Sequence, residues 1–223
     1  MILTETQQKD QEMVMQAFCK KLCAQHKPMV LKGCAALRLC YGLDRFSESL
    51  EFDSAVPLNL EHVIEEVFAT LGKNHAHLRG PKITLLKDTK TVRQYRVEYA
   101  TSIILKIESS MRVVPDDKDI VEVNGIQTYK IAALIQQQLR ALQDVASARD
   151  LHDIIFLFDQ YFDNFSEEQT FEILELYASQ DRVLNRFSVA YDEDTQLSAE
   201  DLLNDMMKLV ELVEERHLES ALS

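Results

Sequence analysis

The periodicity of the apolar residues changes once along this 223-residue chain, close to Thr128. Before that point, apolar and polar residues alternate in short runs, as Leu50 and Phe52 do with the acidic residues that follow them. Such alternation is typical of half-buried strands. After that point, apolar residues recur at the spacing of one helix face. The change predicts an α+β domain with a mixed sheet over residues 1–127 and a helical bundle over residues 128–223.

The same patterns predict the individual elements. Strands are expected near residues 29–31, 46–56, 82–86, 92–99, 103–107, 120–123 and 126–129. Helices are expected near residues 6–25, 35–41, 60–71, 129–145, 149–163, 167–179 and 199–218. Asn124 and Gly125 separate the last two strands, and this dipeptide favours a type I′ hairpin turn. The sheet is therefore expected to end in a tight hairpin just before the helical half begins.

The charge of the chain is unevenly distributed. The net charge of -13 argues against a protein that wraps much nucleic acid, because phosphate binding needs a basic surface. Between residues 78 and 112, however, eight Lys or Arg residues stand against three acids, whereas from residue 191 onward ten acids stand against two bases. A local basic patch for RNA is therefore compatible with the sequence.

The sequence offers no targeting signal from which the location of the protein can be predicted. The first residues, MILTETQQKDQE, lack the basic and apolar regions of a signal peptide. No apolar run approaches the roughly 18 residues that span a membrane. We therefore expect a cytoplasmic protein that has no membrane partner and whose four cysteines are reduced.

A strand, a turn and a helix around Gly33 form the first candidate site. A glycine at such a turn lets the backbone approach a ligand, and the helix start offers amide donors to a phosphate. About 16 residues later, a second strand places Ser49, Glu51 and Asp53 on one face. With Glu108 on another strand, Glu51 and Asp53 form a candidate set of three carboxylates.

Two segments resemble the AbiEii/AbiGii-type nucleotidyltransferases. The segment LKGCAALRLCYGLDRFSESLEFD is similar to the family pattern K-G-G-[ST]-x-L followed by R-F-S-x-D-L-D-F. The segment LRALQDVASARDLHDIIFLF is similar to the family's K-L-x-A-L followed by R-D-L-x-D-L. The resemblance implies a nucleotidyltransferase-like sheet domain followed by helices.

The resemblance also implies a chemistry for these residues. Family carboxylates hold Mg²⁺, which grips the triphosphate of an NTP and activates an acceptor hydroxyl. The nucleotide-binding residues would be Lys32, Gly33, Cys34, Arg45 and Ser47. The catalytic residues would be Glu51, Asp53, Asp150 and Asp153. The candidate metal ligands are Glu51, Asp53 and Glu108.

The sequence departs from the family pattern at several of its chemical positions. Cys34 replaces the second glycine, Ala35 replaces the hydroxyl residue, and Ser49 replaces the first carboxylate. Glu51 keeps the charge of the second carboxylate, but Gln138 replaces the helical lysine. A neutral serine oxygen is a weaker Mg²⁺ ligand than a carboxylate. The site is therefore expected to be degenerate.

Three functions are compatible with these features. The first is a nucleotidyltransferase of weakened activity, which transfers a nucleotide from an NTP to an RNA such as tRNA or to a protein hydroxyl. By resemblance, it would be the toxin partner of an antitoxin protein. The second is a catalytically inactive relative that binds nucleotide, RNA or protein. The third is a structural protein that dimerises through its acidic helical half.

Overall fold

The computed structural model describes residues 3–100, 103–144, 147–177 and 180–222. Contacts within the chain divide it into a first unit that ends at Lys130 and a second unit that begins at Ile131. The predicted boundary at residue 127 lies inside the last strand of the sheet. That strand pairs with two other strands of the first unit, which is why the division comes after it.

The first unit contains three α-helices and seven strands among its described residues. The helices are α1 (Glu5–Ala24), α2 (Gly33–Tyr41) and α3 (Glu61–Leu71). The strands are β1 (Met29–Lys32), β2 (Ser49–Ser54), β3 (Lys82–Asp88), β4 (Val92–Tyr99), β5 (Ile103–Ser110), β6 (Ile120–Val123) and β7 (Ile126–Tyr129). The α+β fold class predicted from the sequence is confirmed.

The seven strands form one sheet in the order β3-β4-β5-β2-β1-β7-β6. Strand β2 runs parallel to β5, and β1 runs parallel to β7, whereas the other neighbours are antiparallel. The sheet is therefore mixed, as predicted. Its centre is formed by β2 and β1, which carry Glu51, Asp53 and Lys32, while Glu108 lies on the adjacent strand β5.

One face of the sheet carries the hydrophobic core of the first unit. Phe52 of β2 packs edge-on against Phe18 of α1, with ring centroids 6.1 Å apart. Phe68 of α3 packs similarly against Tyr99 of β4, with centroids 4.9 Å apart. Because side chains alternate across a strand, the residues next to Phe52 point to the opposite face. That face is polar in the centre of the sheet.

The described part of the second unit contains five α-helices. They are α4 (Ile131–Asp144), α5 (Ala148–Gln160), α6 (Glu167–Tyr177), α7 (Gln180–Glu193) and α8 (Ala199–Leu222). Four were predicted, and α7 was missed. Its sequence is polar, but Val183, Phe187 and Tyr191 recur every four residues and are buried. That spacing was the available signal for a helix. Among the described residues, no helix is long and apolar enough to cross a membrane.

A buried polar cluster joins three helices of the second unit. Asp205 of α8 accepts a 2.6 Å hydrogen bond from the Tyr191 hydroxyl and lies 3.0 Å from the Nδ1 atom of His152 on α5. Asp205→Ala is expected to lower the free energy of unfolding by about 1–3 kcal/mol, because it leaves buried polar groups without this acceptor. The exposed Glu211→Ala on the same helix is the control. Equal urea midpoints for the two variants, measured by circular dichroism, would contradict this prediction.

Candidate functional site

The turn between β1 and α2 is built on Gly33. Its φ of +63° lies in the left-handed region, which glycine adopts without strain. Helix α2 begins at this glycine, and its N-cap residue Lys32 forms no side-chain capping hydrogen bond. The first amides of a helix have no partner within the helix and carry the positive end of its dipole. The turn therefore presents donors of the kind that suit an anionic group.

Glu51 is directed toward this turn from the neighbouring strand. In the antiparallel pairing of β1 and β2, Lys32 lies opposite Glu51. The Glu51 side chain is exposed, and a Cβ atom placed on Gly33 would lie 3.9 Å from its Oε2 atom. A carboxylate and an amide-rich helix start thus lie side by side in one small region.

Glu108 lies beside Glu51 on the next strand. The parallel pairing of β2 and β5 places Glu51 opposite Glu108, and Ser49 opposite Lys106. Gln94 of β4 donates a 3.3 Å hydrogen bond to the Glu108 carboxylate. Two carboxylates therefore lie on adjacent strands of the polar face, while the first position of the family's carboxylate pair carries a neutral hydroxyl.

Asp53 has a different environment from the two glutamates. It is only 3% exposed. Its Oδ1 atom accepts a 2.7 Å hydrogen bond from the Lys32 ammonium, and its Oδ2 atom accepts a 2.9 Å bond from the Tyr129 hydroxyl. Each carboxylate oxygen therefore already has a donor from within the first unit. Tyr129 was not predicted as a site residue.

Tyr129 is held in turn by the end of α2. The Tyr41 hydroxyl donates a 2.6 Å hydrogen bond to the Tyr129 carbonyl oxygen. Burial, with the nearby Asp53 charge and their hydrogen bond, raises the pKa of Tyr129 well above its usual value. Its phenol therefore stays protonated at neutral pH and can donate to Asp53. No sequence motif links these residues, because Asp53 and Tyr129 are separated by 76 positions.

The three predicted metal ligands are not grouped as a metal centre. Among the described residues, no cluster of three or more His, Cys, Asp or Glu side chains is arranged to hold a metal ion. Asp53 is engaged by Lys32 and Tyr129, which leaves Glu51 and Glu108 as a pair. Mg²⁺ needs near-octahedral oxygen ligands. The carboxylates present therefore do not fit the three-residue magnesium set expected from the sequence.

Two other predicted nucleotide-binding residues lie in the loop before β2. Ser47 is buried, and its hydroxyl donates a 3.1 Å hydrogen bond to the carbonyl oxygen of Ser49. Arg45 is partly buried, with one guanidinium nitrogen 3.5 Å from the Phe46 carbonyl oxygen. Ser47 thus orders the start of β2. Cys34, the remaining predicted residue, is partly buried in the first turn of α2.

The two aspartates of the second motif lie in the second unit. Gln138 of α4 donates from one side-chain amide to Asp150 at 3.1 Å and to Asp153 at 3.4 Å. Asp150 also forms a reciprocal capping box with Ser147 at the start of α5. Asp153 is 1% exposed. The amide that replaces the family's lysine therefore donates to both carboxylates without adding a positive charge.

The basic segment between residues 78 and 112 is partly neutralised by its own acids. Arg93 lies 2.7 Å from Asp88, and Arg96 lies 3.1 Å from Glu98. The exposed lysines of this segment are Lys82, Lys87, Lys90 and Lys106. The positive charge that remains is therefore dispersed over β3, the β3–β4 turn and β5.

The chain is similar to known proteins in sequence and in fold. The family model for the nucleotidyl transferase AbiEii toxin, of type IV toxin–antitoxin (TA) systems, matches residues 19–222. The crystal structure of JHP933 from Helicobacter pylori is 30% identical, with a TM-score of 0.79 over 99% of both chains.

A more distant structure shows the same fold. MenT4, a nucleotidyltransferase toxin from Mycobacterium tuberculosis, is 16% identical and has a TM-score of 0.51, covering 93% of this chain and 83% of its own. No protein of curated function matches the chain in sequence. The family match spans both units and both motifs, and on this ground the chain belongs to the AbiEii family of nucleotidyltransferase toxins.

Proposed function

We propose that this protein transfers a nucleotide from an NTP to a hydroxyl of an RNA, such as tRNA, or of a protein, at a rate lowered by its altered site. The observation that carries the proposal is the Glu51 carboxylate beside the Gly33 turn, whose Oε2 atom lies 3.9 Å from where a Cβ atom on Gly33 would stand. The turn and the amides at the start of α2 would receive the triphosphate. Family membership adds an antitoxin protein as the expected partner.

The chemistry can be assigned to residues of the first unit. Lys32 would neutralise phosphate charge, and Glu51 would accept the proton of the attacking hydroxyl. The new bond joins the acceptor oxygen to the α-phosphorus. The bond between this phosphorus and the β-phosphate oxygen breaks, and pyrophosphate leaves. Nucleotidyltransferases of this family generally use a divalent cation such as Mg²⁺, but the described carboxylates of this chain do not form its full ligand set.

The distribution of charge favours the first unit as the place where an RNA acceptor binds. From residue 131 onward the chain has 20 acidic and 6 basic residues, so the second unit is strongly negative. The exposed lysines Lys87 and Lys90 lie at the end of β3 and in the turn after it. Binding of a protein acceptor would depend less on these lysines than binding of RNA, because a protein carries no phosphate backbone.

One observation favours the second function, that of a non-catalytic binding protein. Gln138 donates to Asp150 and Asp153 without contributing a charge. In that case the Gly33 turn would still bind the triphosphate of a nucleotide, and no transfer would follow. The two functions differ in a single measurable quantity, namely labelled nucleotide that becomes covalently attached to an acceptor.

The test compares the wild-type protein with Glu51→Ala, using labelled NTPs with a tRNA pool and with a protein mixture. Slow transfer by the wild type is expected, and Glu51→Ala should reduce it by about 100-fold or more, as for loss of a general base. Glu61→Ala, which removes an exposed carboxylate from α3, is the matched control. If Glu51→Ala transfers as fast as the control, the assigned site is wrong. If the wild type binds nucleotide and transfers none, the binding function replaces the catalytic one.

A further inference from the structure

The Lys32–Asp53–Tyr129 cluster connects three neighbouring strands beside the Gly33 turn. We infer that Asp53 and Tyr129 are positioning residues, which hold the Lys32 ammonium where it contacts the phosphates of a bound nucleotide. Asp53 on this view is not a metal ligand. The inference rests on the proposed function for the identity of the ligand, but the arrangement of the cluster can be tested without any ligand.

The burial of Asp53 is the first argument. A carboxylate that is 3% exposed is stable in its charged form only with a cation and hydrogen-bond donors around it. Lys32 supplies the cation at 2.7 Å, and Tyr129 supplies a neutral donor at 2.9 Å. A metal ion bound here would have to displace the ammonium from a geometry that already compensates the charge. Asp53 is therefore better suited to orienting Lys32 than to binding Mg²⁺.

The position of Lys32 is the second argument. It is the last residue of β1, directly precedes Gly33, and lies opposite Glu51 in the sheet. Its side chain is 26% exposed, and its ammonium contacts Asp53. A free lysine loses rotamer freedom when it binds a phosphate. Fixing it beforehand lowers that entropy cost and so strengthens binding.

Tyr129 is the third argument. Its hydroxyl reaches Asp53 of β2 from β7, across the intervening strand β1. It donates a 2.9 Å hydrogen bond to the Oδ2 atom of Asp53. Lys32 donates to the other carboxylate oxygen of Asp53, Oδ1. The carboxylate is thereby held from two sides, and its orientation fixes that of the ammonium.

The first measurement uses nuclear magnetic resonance of the lysine ammonium groups in the full-length protein without ligand. The Lys32 signal is assigned by its loss in Lys32→Met. We expect a slowly exchanging signal in the wild type, a broadened or absent signal in Asp53→Asn, and a shifted signal in Tyr129→Phe. Tyr129→Phe removes one oxygen atom and keeps the ring, so it remains informative if Asp53→Asn does not fold. A Lys32 signal that is unchanged in Tyr129→Phe overturns the inference.

The second measurement is the affinity for inorganic triphosphate and for ATP, by calorimetry in the presence of a chelator. Lys32→Met should weaken binding by about 10- to 100-fold, as expected for a lost charge-assisted contact. Tyr129→Phe should weaken it by about 2- to 10-fold, as expected for a neutral hydrogen bond. Lys106→Met, which removes another lysine of the polar face, is the control and should change affinity less than Lys32→Met does.

The outcomes separate this inference from the proposed function. If wild-type protein binds neither probe, the proposed nucleotide site fails, and the ammonium signals still decide whether Asp53 and Tyr129 hold Lys32. If Asp53→Asn binds triphosphate normally under chelation and only raises the Mg²⁺ concentration needed for transfer, Asp53 is a metal ligand and the inference is wrong. If Asp53→Glu binds ATP more tightly than Asp53→Asn does, the result would support positioning of Lys32 by the charge at residue 53.

Discussion

Combining Ser49→Asp, Glu51→Asp and Gln138→Lys is expected to raise nucleotide transfer about 100- to 10,000-fold above the wild-type rate. Each restored charge-assisted contact contributes about 1.5–3 kcal/mol, and every 1.36 kcal/mol in the barrier is tenfold in rate. Ser49 and Glu51 lie on one strand, two residues apart, and the strand beside them places Glu108 opposite Glu51. Carboxylates at 49 and 51 would therefore complete a set of three with Glu108.

The Gln138→Lys change in the second unit acts on a different pair of carboxylates. The Gln138 amide now donates to both Asp150 and Asp153. A lysine at position 138 would place an ammonium near these aspartates and would add the positive charge that the family pattern has there. Because Gln138 is largely buried, this change should be made together with the others and checked for folding by thermal unfolding. A variant with Gln138→Lys alone measures its separate effect.

The rate is measured as labelled nucleotide attached to tRNA or protein per unit time. The matched control carries Ser49→Asn and Gln138→Met together with Glu51→Asp, so that it differs from the restored variant only in the two added charges. If the restored variant is no faster than this control, charge at these positions does not limit transfer. The explanation for slow activity would then have to come from the acceptor or from the turn, where Cys34 replaces glycine.

The elements of this fold were predictable where the local pattern is strong. The turn at Asn124 and Gly125 and the strands on either side of it are confirmed, because two residues in the left-handed region define a hairpin almost alone. Helix α7 was not predicted, because its polar composition hides three apolar residues spaced four apart. The order of the strands was not predictable from periodicity, since pairing such as that of β2 with β5 joins residues more than 50 positions apart.

The site was predictable only in its local part. The Gly33 turn and the direction of Glu51 follow from a glycine between strand and helix and from alternation along one strand. The environment of Asp53 does not follow from either, because its partners come from β1 and β7. A carboxylate on the polar side of a strand was therefore expected to be available to a metal, whereas the structure places it among buried donors.

Replacing Phe52 by Ala is expected to lower the free energy of unfolding of the first unit by about 3–5 kcal/mol, the usual cost of removing a buried aromatic ring. The ring is 2% exposed and packs against Phe18 of α1, on the face of β2 opposite Glu51. Its loss leaves a cavity beneath the strand that carries Glu51 and Asp53. Nucleotide binding should therefore weaken at temperatures where the wild type is still folded.

The exposed Phe171 on α6 is the matched control, because Phe171→Ala removes the same ring from a position that is 61% exposed. A surface change of this kind usually alters stability by less than about 0.5 kcal/mol.

Since the chain has two compact units, urea unfolding need not be two-state, and the shift must be assigned to one of them. A fluorescent probe on Cys23, in the first unit and partly exposed, reports that unit separately. Phe52→Ala should move the transition seen by this probe to lower urea, whereas Phe171→Ala should leave it in place. Equal midpoints for the two variants would mean that the packing of Phe52 against α1 does not hold the first unit together.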